Sequence, residues 1–158
     1  KAVDDLLQHE LCVVEGSREK CIRFLKERPS LWQEAQPLLI DPVLKRVYVD
    51  EKPEGIYLLH SNESALPEYS DMNPSRQEYF AIEKQLFYNL QENGKFINPN
   101  DREGAFCLEL WKYNPLILTE GISGNNNVDP LSLFLSLQQL HDERVENAIE
   151  MIIEKYIW

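Results

Sequence analysis

Cysteine pairs at metal-binding or redox spacing are missing from this sequence: Cys12, Cys21 and Cys107 stand apart, in no CxxC or Cys/His arrangement. That spacing indicates neither a zinc site nor a closed disulfide framework, and an odd number of thiols with mostly apolar neighbours points to a reducing, cytoplasmic compartment. Long apolar runs are also missing. No stretch reaches the roughly 18 apolar residues of a membrane span, and the N-terminal region has no signal-peptide core, so neither membrane insertion nor secretion is expected. Positive charge is scarce, with 16 Lys and Arg against 27 Asp and Glu and a net charge of −11. Nucleic-acid affinity comes largely from basic groups that displace counterions, so direct binding of nucleic acid is not expected.

What is present describes a packed protein. Hydrophobic residues make up 43% and charged residues 27% of 158 positions, too apolar for intrinsic disorder. This length suits one domain, residues 1–158, able to bury a real core. The chain begins at Lys1 and its first methionine is Met72, which is compatible with a piece of a longer protein.

Local patterns suggest the elements. "VDDLLQH" reads as a short helix, and "LCVVE" as a buried strand. Gly16 then permits a turn, Ser17 caps a helix over "REKCIRFLKE" and Pro29 ends it. "VLKRVYVD" and "IYLLHS", separated by "EKPEG", read as an antiparallel hairpin over 44–60. Residues 61–74 read as a surface connection. Tyr79, Ile82, Leu86, Phe87 and Leu90 recur at helical spacing, predicting a helix over 75–92 that stops at Asn93-Gly94. "AFCLELWKY" alternates like a strand with one face on a core, "PLILTE" is a further short strand, and "GISGNNN" is a loop. Asp129-Pro130 and Asp142 cap two helices that form a C-terminal helical hairpin. The fold expected is α+β: a small, mainly antiparallel sheet packed against helices.

Catalytic patterns are sparse. Ser17 lacks the second glycine of a nucleophile elbow, and "GISGNNN" lacks the lysine of a phosphate loop. "VVEG", ending in Glu15 and Gly16, resembles the first motif of Toprim domains, where a glutamate at a strand end lies beside a metal-binding acidic pair used in phosphodiester chemistry. The second motif, Asp-x-Asp, has no counterpart here. The nearest acidic pair, Asp50-Glu51, is contiguous, and neighbouring side chains on a strand point to opposite faces. Asp41 followed by Asp50-Glu51-Lys52 resembles the spacing of PD-(D/E)xK nucleases. That resemblance implies Mg²⁺ held by carboxylates, with a lysine positioning the attacking water. On this reading Glu15, Asp41 and Asp50 are candidate ligands of a metal-dependent enzyme acting on phosphodiesters or nucleotides.

The reading favoured by composition is different. Phe80, Trp111, Tyr113 and Trp158 are aromatic residues of the kind that dominate binding hot spots. With an acidic rim around them, they suggest a non-catalytic interaction or regulatory domain that captures a protein partner of basic character. A third reading is a sensing or dimerisation domain of a DNA-binding regulator whose DNA-binding module lies outside this chain.

Overall fold

The computed structural model describes residues 2–119 and 126–158. The fold is α+β, and the chain divides into two compact units. One comprises the residues up to Ile40 together with Lys155–Trp158, and the other is Asp41–Glu154.

The first unit opens with the expected short helix, α1 (Ala2–Gln8), followed by strand β1 (Cys12–Glu15). The helix expected after Gly16 does not form. A second strand, β2 (Cys21–Phe24), returns antiparallel to β1, with Cys12 opposite Phe24 and Val14 opposite Ile22. Gly16 explains the reversal: its φ is +98°, and a Cβ there would lie 2.0 Å from the Glu19 carbonyl oxygen, so only glycine fits the turn. Once the chain reverses, Ile22 and Phe24 share one face and Cys21 and Arg23 the other, the alternation of a strand. Pro29, expected to end a helix, instead lies in the first turn of α2 (Arg28–Ala35), where its missing N–H leaves no bond unmade.

The second unit is built on a four-stranded sheet of β3 (Val43–Val49), β4 (Leu59–His60), β5 (Glu78–Glu83) and β6 (Phe106–Trp111), in the order β3-β6-β5-β4. β3 and β6 are antiparallel, β6 and β5 parallel, and β5 and β4 antiparallel. The expected 44–60 hairpin is therefore corrected: β3 pairs with β6 and β4 with β5. The "EKPEG" segment does not close a hairpin, and its Lys52 ammonium lies over the rings of Phe80 and Phe106, 4.9 and 5.2 Å from their centroids. β6 is one of the two interior strands, nearly all of it buried, and is not the one-faced strand its alternation suggested.

The expected 75–92 helix is half correct. Residues 78–83 are β5, because Phe80 and Ile82 enter the core on one face of the sheet while Tyr79 and Ala81 take the other; α4 (Lys84–Glu92) follows and stops at Asn93-Gly94. Residues 61–74 are not merely a connection, since they contain α3 (Asn62–Tyr69), which buries Ala65, Leu66 and Tyr69. In place of a strand, "PLILTE" holds a 3₁₀ turn at Ile117–Thr119. Of the expected "GISGNNN" loop, residues 121–125 lie outside the described residues. The C-terminal helices form as expected: α5 (Pro130–Leu137) is capped by the Asp129 carboxylate, which accepts from Ser132 N at 2.9 Å, and α6 (Glu143–Tyr156) by Asp142, which accepts from Arg144 N. The two helices contact each other.

The core fills one face of the sheet, with Val47, Val49, Phe80, Ile82, Leu108 and Leu110 against Phe87 and Phe96. Both outer edges of this sheet are bridged. Tyr48 and Asn100 exchange backbone bonds beside β3, and His60 bonds the backbone of Asn126 and Val128 beside β4.

Candidate functional site

Two features of the structure stand out from ordinary packing, one in each unit. In the second unit, the face of β6 opposite the core carries Cys107, Glu109 and Trp111, all buried. Strand register places Arg46 on one side of Glu109 and Ala81 on the other. Glu109 Oε1 accepts from Arg46 Nε at 2.9 Å and from Asn62 Nδ2 at 2.8 Å. Asn62 opens α3 at φ +51°, a left-handed conformation that asparagine tolerates, and its Oδ1 accepts from Glu63 N. One residue thus ties the start of a helix to a carboxylate in the sheet.

Burial and this charge pattern shape the neighbours. Desolvation opposes the charge on Arg46, but the Glu109 carboxylate outweighs it and raises the guanidinium pKa. Burial pushes the Cys107 thiol up to about 12, and Glu109 adds to that shift, so this cysteine is an inert thiol. Tyr48 and Tyr79 are likewise raised, chiefly by burial. Glu109 Oε2 and Trp111 Nε1 are buried without hydrogen-bond partners among the described residues. A cleft of about 630 Å³ in this unit is lined by residues of 70–76, by Glu63 and by α6, and not by Glu109, Arg46 or Trp111. The polar cluster is a closed joint between sheet and helix.

The aromatic residues singled out in the sequence are placed separately. Phe80 is buried in the core, where its ring lies 4.7 Å from that of His60. Trp111 is buried on the opposite face and meets half-buried Tyr113 edge-on at 5.6 Å, while the Tyr113 hydroxyl and Ser132 Oγ are 2.7 Å apart. Trp158 is 66% exposed and belongs to the first unit. Trp111 and Tyr113 are brought together, and Phe80 lies on the other face of the sheet.

Two of the three candidate metal ligands have other partners. Glu15 is ion-paired with Arg23 at 2.7 Å, and that hydrogen bond, before the charge itself, lowers the Glu15 pKa. Asp41 Oδ1 accepts from Val43 N at 2.8 Å, and Asp50 is exposed. No group of three or more His, Cys, Asp or Glu side chains among the described residues is placed to hold a metal ion. The strand-turn-helix context on which the Toprim resemblance depended is overturned by β2.

No family model, curated protein or solved structure matches the chain.

The second feature is the β1–β2 hairpin. Its sheet has only two strands, and such a pair standing alone is marginal in water. On one face Val14, Ile22 and Phe24 are 38, 44 and 50% exposed, with Cys12 at the end of that face buried. All four residues of β2 are exposed. Sequence reading missed this surface because it placed Val14 in a buried strand and Ile22, Phe24 and Leu25 together on one side of a helix. The signal that could have found it was the alternation Cys21/Arg23 against Ile22/Phe24, directly after a turn glycine.

Proposed function

We propose that the chain is a non-catalytic protein-binding domain whose contact surface is the apolar face of the β1–β2 hairpin. The observation that carries this reading is the exposure of Val14, Ile22 and Phe24 together on a two-stranded sheet. Apolar side chains scattered singly over a surface are ordinary, but a contiguous set on one strand pair leaves the sheet one layer short. Burying such side chains against a partner is favourable by roughly 25 cal/mol per Å² of apolar area removed from water. Exposed Trp158, in the same unit, is a residue type enriched in binding hot spots.

The test is a displayed library of random peptides selected on the full chain and on its Ile22→Ser/Phe24→Ser variant. Because both side chains are already exposed, the variant is expected to melt within a few degrees of the parent. Peptides enriched on the parent are expected to lose at least tenfold in affinity on the variant. Enriched peptides that bind both proteins equally, or no enrichment at all, would overturn the proposal.

A further inference from the structure

The hairpin differs from the larger sheet in its edges as well as its face. Both edges of the four-stranded sheet are bridged by neighbouring chain, at Asn100 and at Asn126–Val128. Leu25 N donates to Leu11 O toward β1, so by two-residue alternation Cys21 and Arg23 also face β1, while the backbone N–H groups of Ile22 and Phe24 point away from it. Neither of those two groups donates to any partner outside the ladder among the described residues. An open edge beside an exposed apolar face is the arrangement to which an extended segment adds as a further strand.

Charge decides what kind of segment. The chain's net charge suggested a basic partner, but the deficit belongs to one unit. Asp41–Glu154 holds 9 basic and 20 acidic residues, while the first unit holds 7 of each. Within the first unit, residues 18–28 hold five cations, Arg18, Lys20, Arg23, Lys26 and Arg28, against Glu19 and Glu27. Arg23 pairs with Glu15 and Lys26 with Glu34, whereas Arg18, Lys20 and Arg28 make no ion pair among the described residues.

The same charges disfavour a second copy of this chain. An antiparallel β2–β2 pairing centred on Arg23 keeps Ile22 and Phe24 on one continuous face but sets Arg23 opposite Arg23, and it brings two copies of the cation-rich 18–28 segment together. Like charges directly across a strand pair are destabilising.

We infer that β2 receives, as a third strand, an extended segment of another protein in which apolar and acidic residues alternate. The apolar side chains continue the Val14–Ile22–Phe24 face, and the acidic ones lie on the Arg23 face. This inference rests on the protein-binding reading above and adds the mode of binding and the chemistry of the partner.

The experiment uses a fluorescent peptide of about eight residues, a common strand length, alternating Glu and Val. It is titrated into the full chain and compared with a Lys/Val peptide and with a Glu/Val peptide N-methylated at alternate positions to remove its strand-forming N–H groups. The Glu/Val peptide is expected to bind at least tenfold more tightly than the other two, more weakly as salt is added, and to slow amide exchange at Ile22 and Phe24. Equal or tighter binding of the Lys/Val peptide, or no binding of any peptide, would overturn the acidic assignment. Undiminished binding of the N-methylated peptide, without protection at Ile22 and Phe24, would overturn strand addition while leaving the apolar face as the contact surface. Binding indifferent to Ile22→Ser/Phe24→Ser would instead remove the protein-binding reading itself.

Discussion

Glu109 is the buried carboxylate that joins the sheet of the second unit to α3. Its carboxylate is fully buried, and its Oε1 atom takes hydrogen bonds from both Arg46 and Asn62. Removing one partner of a buried pair leaves the other charge without compensation, which is more damaging than the loss of an ordinary hydrogen bond. The Arg46 side chain is 37% exposed, so solvent screens part of the pair. Arg46→Met is therefore expected to destabilise the protein by about 2–3 kcal/mol and Asn62→Ala by about 1–2 kcal/mol, both read by urea unfolding. An Asn62 effect larger than that of Arg46 would contradict this ranking. His60 supplies a pH dependence. Burial pushes its imidazole below the ordinary histidine range; Glu78 opposes that shift and Lys52 adds to it. The unfolded chain then takes up the proton first, so stability rises with pH and is lost as pH falls through the unfolded value of about 6.5 toward the lower folded one. Melting temperatures between about pH 5 and 8 are expected to fall on the acid side less steeply for His60→Gln than for the parent, and coincident slopes would exclude His60 as the cause. Neither role was legible in the sequence. Asn62 sat in a stretch rich in small polar groups and proline, and its contact with Glu109 spans 47 positions.

At the scale of elements, the hairpin shows how one backbone position overrides local propensity. Without the turn at Gly16, residues 18–27 have composition and spacing that suit a helix. With it, they pair with β1. Gly16→Ala places a methyl group against the Glu19 carbonyl in a backbone conformation that alanine resists. The substitution is expected to cost more than about 1 kcal/mol of hairpin stability, seen as faster amide exchange at Val13, Glu15, Cys21 and Arg23 with little change in the second unit. Unchanged exchange would show that the turn does not hold the strands. The C-terminal helices were readable because their signals are local: Asp129 before Pro130, Asp142 as a cap, and a single apolar face containing Val145, Ala148, Ile149 and Ile152. β5 was not readable, because Tyr79, Ile82, Leu86 and Phe87 recur at helical spacing and only parallel pairing with buried β6 selects the strand.

Over the whole molecule, charge and exposure divide between the two units: the acidic excess lies in Asp41–Glu154, and the open sheet edge and its apolar face lie in the first unit. The four-stranded sheet closes its own edges with loop backbone and buries its core on one side and a polar joint on the other. Among the described residues no helix is long and apolar enough to cross a membrane. By itself the sequence determined the α+β class, the capped C-terminal helices, α1, the positions of β1, β3 and β6, and the stop at Asn93-Gly94, because each follows from interactions between residues a few positions apart. Tertiary structure decided the rest: which strands pair, that residues 78–83 join a sheet, that 62–69 coil into a helix, and that Glu109 is a buried partner of Arg46 and Asn62. In the second unit those outcomes depend on partners 20 to 68 positions away in the chain, and the free energy of pairing and burial there exceeds the small local preferences that sequence patterns report.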